Sequence, residues 1–111
     1  IDFIPFKPIV KHCCDELDHK LLLPRDNPWL SIEELEREYE VRHAEDRFLF
    51  PRRDVVILPI RNTTSERLAE YLCGRILERT RDKIPQAKMN RIRVSVQESQ
   101  GQEGVYEEVL A

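Results

Sequence analysis

Residues 62–82 read NTTSERLAEYLCGRILERTRD, and this stretch is the best-defined element of the 111-residue chain. Thr63 at the N-cap, with Glu66 three residues later, predicts a capping box in which each side chain bonds the other residue's backbone N–H. Apolar side chains then recur at helical spacing, which predicts a helix that ends between residues 79 and 82 and buries one face. The residues of that predicted face are Leu68, Tyr71, Leu72 and Ile76.

A second amphipathic helix is predicted near the start of the chain, from about residue 6 to residue 17. Its apolar positions are Phe6, Ile9, Val10, Cys13 and Leu17. Pro8 is compatible with this helix only in the first turn, where a missing N–H costs nothing.

The strand signals lie between and after the two helices. Residues 54–60 form an apolar run that is closed by Pro59. Ile92, Val94 and Val96 alternate with polar residues, which predicts a half-buried strand. Residues 99–104 then form a polar turn that contains glycine, and residues 105–110 return as the antiparallel partner.

Residues 31–50 carry conflicting signals. Ile32, Leu35 and Tyr39 suit a helix, and Ser31 with Glu34 would form a capping box. Alternation around residues 39–41 and the sequence RFLF at residues 47–50 instead indicate strands, with a turn at residues 44–46. We favour a short helical or irregular piece followed by a hairpin from about residue 38 to residue 50.

Composition limits the class of protein. A chain of this length supports one domain with a modest core. The net charge of −3 and the interleaved charges give no electrostatic reason to expect nucleic acid or an anionic membrane as partner. No apolar stretch is long enough to cross a bilayer and no signal peptide is visible, so we expect a cytoplasmic protein. The first residue is Ile, so we interpret the chain as a segment of a longer polypeptide.

The cysteines and two of the histidines are not assigned to chemistry. Three cysteines, two of them adjacent, make a poor disulfide framework, and we expect small buried or half-buried thiols. His12 and His43 lack the close His-x-His or His-x₃-His spacing of a zinc site, so we assign no metal ligand.

Asp18 and His19 form the most suggestive pair in the chain. A carboxylate directly before an imidazole can fix the tautomer of the ring and raise its basicity, as general acid–base catalysis requires. From the residues alone, a solvated Asp and a His near a helix C-terminus is the more probable interpretation. Likewise, the residues NTTSE at 62–66 are explained by helix capping alone. A lone carboxylate at the end of a strand, such as Glu98, is usually only solvated.

Four stretches in a fixed order favour a functional interpretation of these residues over a purely structural one. They are IDF at residues 1–3, LDHK at 17–20, NTTSE at 62–66 and VSVQE at 94–98. With them the chain resembles the 6-pyruvoyltetrahydropterin synthase and 6-carboxytetrahydropterin synthase family. The family's N-terminal hairpin, which carries its zinc-binding histidines and catalytic cysteine, has no counterpart here. Compact members also lack much of the segment from about residue 30 to residue 52, which we interpret as an insertion.

The resemblance implies an α+β tunnelling fold in which two helices cover one face of an antiparallel sheet. Residues 1–111 would be the C-terminal major part of that single domain. Subunits of the family join sheet to sheet into a trimeric barrel, and two barrels stack. A homo-oligomer, trimer or hexamer, is therefore expected.

The resemblance also implies a site and a reaction. Asp18 would orient His19, which would move protons on a pterin side chain, while Thr64 and Ser65 would contact the pterin ring and Glu98 would accept paired hydrogen bonds from it. The implied zinc would be held by residues outside this chain. The implied enzyme is a zinc-dependent carbon–oxygen lyase acting on 7,8-dihydroneopterin triphosphate, with a preference for the 6-carboxy product that feeds queuosine-type deazapurines. The 6-pyruvoyl product, or a non-catalytic pterin- or purine-binding oligomer, is the alternative.

Overall fold

The computed structural model describes residues 6–86, 88–99 and 102–110, and of Glu98 and Ser99 it describes only the backbone. The elements in chain order are α1 (Lys7–Asp15), β1 (Leu21–Pro24), β2 (Ser31–Glu34), β3 (Glu38–His43), β4 (Asp46–Pro51), a 3₁₀ turn (Arg52–Asp54), β5 (Val55–Leu58), α2 (Ser65–Lys83), β6 (Arg91–Ser99) and β7 (Gln102–Val109). They form two compact units. We call α1, α2, β6 and β7 the helix–hairpin unit and Leu17–Thr63 the strand unit.

Both helices of the helix–hairpin unit were predicted, with small errors at their ends. The N-cap of α2 is Thr64 and not Thr63, because the Thr64 hydroxyl accepts a hydrogen bond from the backbone N–H of Arg67 at 3.3 Å. The predicted Thr63 cap is therefore wrong by one residue. The first helix is shorter than predicted, and Pro8 lies in its first turn as expected.

The core of the helix–hairpin unit lies between the helices and one face of the β6–β7 hairpin. Ile9 and Cys13 of α1 pack with Ile76 of α2, and Ile92 and Val94 of β6 lie against this cluster. The buried face of α2 is rotated from the predicted one toward smaller side chains, and Leu68, Tyr71 and Leu72 are only half-buried. Its buried residues are Ala69, Cys73, Ile76, Leu77 and Thr80.

The β6–β7 hairpin confirms the predicted antiparallel pair. Burial alternates from residue 91 to residue 97, as the sequence indicated. The pairing runs from Arg91 opposite Val109 to Val96 opposite Gly104, and it becomes irregular between Gln97 and Ser99. The centre of the predicted turn, residues 100 and 101, lies outside the described part of the chain. Two helices on one face of an antiparallel hairpin confirm the α+β class.

The strand unit contains a three-stranded antiparallel sheet in the order β2-β3-β4 and a parallel pair, β1 with β5. The β3–β4 hairpin was predicted, and its two-residue turn begins at Ala44, which has a positive φ of 52°. The helical interpretation of residues 31–34 and the Ser31 capping box are wrong, because this segment is a strand. Ile32 pairs with Val41 and packs against a core of buried strand residues. Such pairing overrides weak helical periodicity.

Among the described residues, neither helix combines the length and the hydropathy needed to span a bilayer.

Candidate functional site

Asp18 and His19 lie in the turn that follows α1, so they do not close the helix as predicted. Asp18 Oδ2 stands 3.5 Å from His19 Nε2, and the side chains are 63% and 93% exposed. This separation exceeds the roughly 3.2 Å of an ordinary N–H···O bond, so the two groups are neighbours without a tight hydrogen bond. Both groups are exposed and therefore open to a ligand.

The backbone at His19 is unusual, since its φ is +57°. A left-handed conformation is uncommon in a residue with a side chain, and such residues cluster at functional sites. The next residue anchors the turn, because Lys20 Nζ donates a hydrogen bond to the backbone carbonyl of Arg53. This contact ties the residue that follows the dyad to a segment 33 residues away in sequence.

The start of α2 packs directly on the backbone of β7 at Gly104. A Cβ atom at this position would overlap the backbone N of Glu66 and the carbonyl carbon of Ser65. It would also stand 2.6 Å from the Ser65 hydroxyl oxygen, so that hydroxyl lies against β7. From the sequence, Gly104 was predicted only as part of the turn at residues 99–104. The available signal was an isolated glycine in a strand, which often marks a close approach of another backbone.

Glu98 occupies the irregular position of β6. Gln97 pairs with Glu103 and Ser99 pairs with Gln102, so one residue of β6 is left without an opposite partner. Such a β-bulge bends the strand and can re-aim a side chain, and bulges are frequent next to active sites. The side chain of Glu98 lies outside the described part of the structure.

The predicted substrate-binding residues therefore belong to one end of the helix–hairpin unit. Gly104 pairs with Val96, which precedes Glu98 by two residues in β6, and Gly104 also contacts Ser65. This places Thr64, Ser65 and the backbone of Glu98 at the same end of the hairpin. Asp18 and His19 belong to the strand unit.

Two of the three cysteines are poorly suited to nucleophilic chemistry. Cys13 and Cys73 are buried, and burial raises the pKa of both thiols. A buried thiol with a raised pKa is a poor nucleophile at neutral pH. Cys14 is exposed, so the expectation of three buried or half-buried thiols is wrong for this residue.

The described residues do not form a metal site. His12 Nε2 lies 3.0 Å from a carboxylate oxygen of Glu16, and His43 stands opposite Asp46 across the β3–β4 hairpin. Within residues 6–86, 88–99 and 102–110, no group of three or more His, Cys, Asp or Glu side chains could hold an ion. A zinc ion therefore does not fit the described residues of this chain by themselves.

The chain is similar in sequence to pterin-forming enzymes. The profile of the family described as 6-pyruvoyl tetrahydropterin synthase matches residues 1–109. A Methanocaldococcus jannaschii protein, provisionally named 6-carboxy-5,6,7,8-tetrahydropterin synthase, is 37% identical over 109 residues. That match covers 98% of this chain and 66% of the relative, so the chain spans just under two thirds of the relative's length.

Solved structures show the same similarity in three dimensions. The 6-pyruvoyltetrahydropterin synthases of Plasmodium vivax and Plasmodium falciparum each superpose with a TM-score of 0.90 at 27% sequence identity. Each match covers 99% of this chain and 69% of the solved one.

Proposed function

Because this chain belongs to the 6-pyruvoyl tetrahydropterin synthase family, we propose that the protein containing it converts 7,8-dihydroneopterin triphosphate into a tetrahydropterin. The reaction is a carbon–oxygen lyase reaction in which triphosphate is eliminated and the side chain is rearranged, and formation of the 6-carboxy product also releases a two-carbon fragment of the side chain. We favour the 6-carboxy product, which is the product named for the archaeal relative, over the 6-pyruvoyl product named for the Plasmodium enzymes. The observation that carries the proposal is the family match over residues 1–109.

The family resemblance suggests the roles that we propose for individual residues. Asp18, adjacent to His19 at 3.5 Å, orients and electrostatically supports the imidazole, which moves protons on the pterin side chain. Thr64 and Ser65 at the start of α2 contact the pterin ring, which a helix N-terminus can do with hydroxyls and N–H groups. Glu98 accepts a pair of hydrogen bonds from the amino group and ring N–H of the pterin.

Zinc and oligomerisation belong to the same proposal. The family resemblance implies a zinc ion, but the described residues contain no group able to hold it, so no described residue is assigned as its ligand. We propose a homo-oligomer, either a trimer or a hexamer, that acts in the cytoplasm without nucleic acid or a membrane as partner.

The test is turnover of 7,8-dihydroneopterin triphosphate by the full-length protein, with the product identified by mass spectrometry. We expect His19→Ala to abolish turnover while metal content and oligomer size stay unchanged, because His19 is exposed and outside the core. His12→Ala is the matched control, since His12 is also a partly exposed histidine paired with a carboxylate. Loss of metal or of assembly in His19→Ala would instead mean that His19 is a ligand or a structural residue.

A non-catalytic pterin- or purine-binding oligomer is the second candidate. It differs from the first candidate in binding a pterin without converting it, so the same substrate assay separates the two. A full-length protein that binds a pterin in calorimetry, yet gives no product with or without added zinc, would establish this candidate and contradict the first.

A further inference from the structure

A groove in the helix–hairpin unit is lined by residues of α1 and of the C-terminal end of α2, and its volume is about 380 Å³. Small-molecule sites typically have volumes of about 300–1,000 Å³. Buried Ile9, half-buried Ile84 and exposed Pro8 give the groove an apolar lining. The other described residues of the lining are basic, namely His12, Arg79 and Lys83. The groove therefore combines apolar surface with a group of basic side chains.

Arg79 lies in this groove without a carboxylate partner among the described residues. One turn earlier on α2, Arg75 forms an ion pair with Glu78, three residues later in the helix. Asp82 stands at the same spacing from Arg79, but the two side chains form no ion pair in the described part of the chain. The Arg79 side chain contributes to the lining of the groove instead.

Part of the Arg79 guanidinium is also shielded from water. Its Nε atom is buried and has no hydrogen-bond acceptor among the described residues. A guanidinium keeps its charge in proteins, and removing one of its N–H groups from water without an acceptor is unfavourable. An anion held by the two terminal nitrogens would offset this cost, because Arg makes planar, bidentate contacts with oxyanions.

Lys83 supplies a second positive charge, four residues and about one helical turn after Arg79. It is exposed and, like Arg79, forms no ion pair with a described residue. His12 is already engaged, because its Nε2 atom lies 3.0 Å from Glu16 Oε1. The same carboxylate oxygen lies 3.1 Å from Arg75 Nη2, so the charge of Glu16 is shared between these two partners. The cations available to a ligand in the groove are therefore Arg79 and Lys83.

We propose that this groove binds a small organic phosphate, whose phosphate group contacts Arg79 and Lys83 and whose apolar body packs on the apolar lining. A phosphate monoester carries a charge of about −1.5 to −2 at neutral pH, which two cations complement better than one. An inorganic ion would contact the cations alone. An apolar body adds binding free energy in proportion to the surface that it and the lining remove from water.

The groove is remote from the residues at the start of α2 that are proposed to bind the pterin. Thr64 and Ser65 lie at the N-terminal end of this helix, whereas Arg79 and Lys83 lie near its C-terminal end. From Thr64 to Arg79 the helix rises about 22 Å, at about 1.5 Å per residue. The proposed phosphate site is therefore independent of the proposed pterin site, and either can fail without the other.

Phenyl phosphate is the probe, because it joins a phosphate monoester to an apolar ring. Calorimetry on the full-length protein should detect its binding, and Arg79→Met should weaken that binding at least about tenfold. Arg81→Met is the matched control, since it removes an exposed charge from the last turn of α2 but lies outside the described lining of the groove. Circular dichroism checks that both variants are folded. Unchanged binding in Arg79→Met, or an equal loss in Arg81→Met, would overturn the proposal.

Two further measurements test the two parts of the contact separately. Arg79→Lys keeps the charge but loses the planar fork, so it should weaken phenyl phosphate binding by about threefold or more. Inorganic phosphate, which lacks an apolar body, should bind the wild-type protein at least about tenfold more weakly than phenyl phosphate does. Wild-type affinity in Arg79→Lys would contradict the bidentate contact. Equal affinity for the two phosphates would show an adventitious ion on surface cations and overturn the proposed organic ligand.

Discussion

Glu98 is the residue on which the proposed pterin site depends most, because it is the one predicted anchor that combines a charge with an irregular strand position. Glu98→Gln keeps the shape of the side chain but replaces an acceptor by a donor. Losing a charge-assisted hydrogen bond costs about 1.5–3 kcal/mol. We therefore expect pterin affinity to fall at least about tenfold, since about 1.4 kcal/mol corresponds to a factor of ten.

Calorimetry on the full-length protein measures this change, and Glu103→Gln is its control, an exposed neighbour on β7. Thermal stability should change little in either variant. If Glu98→Gln binds pterin as tightly as the wild type does, another residue anchors the ring and the site assigned to this end of the hairpin is wrong.

At single residues, the sequence predicts neighbours well and conformations poorly. The proximity of Asp18 and His19 follows from their adjacency in the chain. The positive φ of His19 does not follow from the local sequence, and neither does the hydrogen bond from Lys20 to the distant carbonyl of Arg53. Thr63 and Thr64 are equally good caps in the local sequence. We attribute the choice of Thr64 to packing, since Gly104 of β7 lies against the first turn of α2.

Within the β3–β4 hairpin, a buried carboxylate makes stability depend on pH. Glu40 is 5% exposed, and hydrogen bonds from Arg47 and Arg42 hold its pKa below the usual value. Because the folded-state pKa is the lower one, the unfolded chain takes up the proton more readily. The cluster therefore stabilises the fold above the unfolded pKa of about 4.3, and this stabilisation is lost as the pH falls through the folded pKa.

Glu40→Gln should lower the Tm of the protein at neutral pH, and the difference from wild type should shrink as the pH falls from about 5 to about 3. Thermal unfolding followed by circular dichroism at several pH values measures it. Glu33→Gln is the control, because Glu33 stands opposite Glu40 on β2 but is exposed. A Tm difference that stays constant over this range would show that the carboxylate's charge contributes nothing.

Among helices and strands, the correct predictions are those for which the pattern that indicates the element lies within the element itself or its immediate neighbours in sequence. The β6 strand was predicted because alternation with period two is visible within a few residues, and the β3–β4 hairpin because its turn joins strands that are adjacent in sequence. β2 was missed, since its four residues become a strand by pairing with β3 through Ile32 and Val41. The buried face of α2 was misplaced because small residues, Ala69 and Cys73, occupy its centre.

For the whole molecule, the two-stranded β6–β7 sheet argues for assembly. Among the residues that the structure describes, β6 and β7 pair only with each other, and such a two-stranded sheet is marginal by itself, so association is one way to cover its edges. We therefore expect the full-length protein to sediment as a trimer or a hexamer. A stable monomer at micromolar concentration would contradict the proposed assembly and weaken every site assigned through the family.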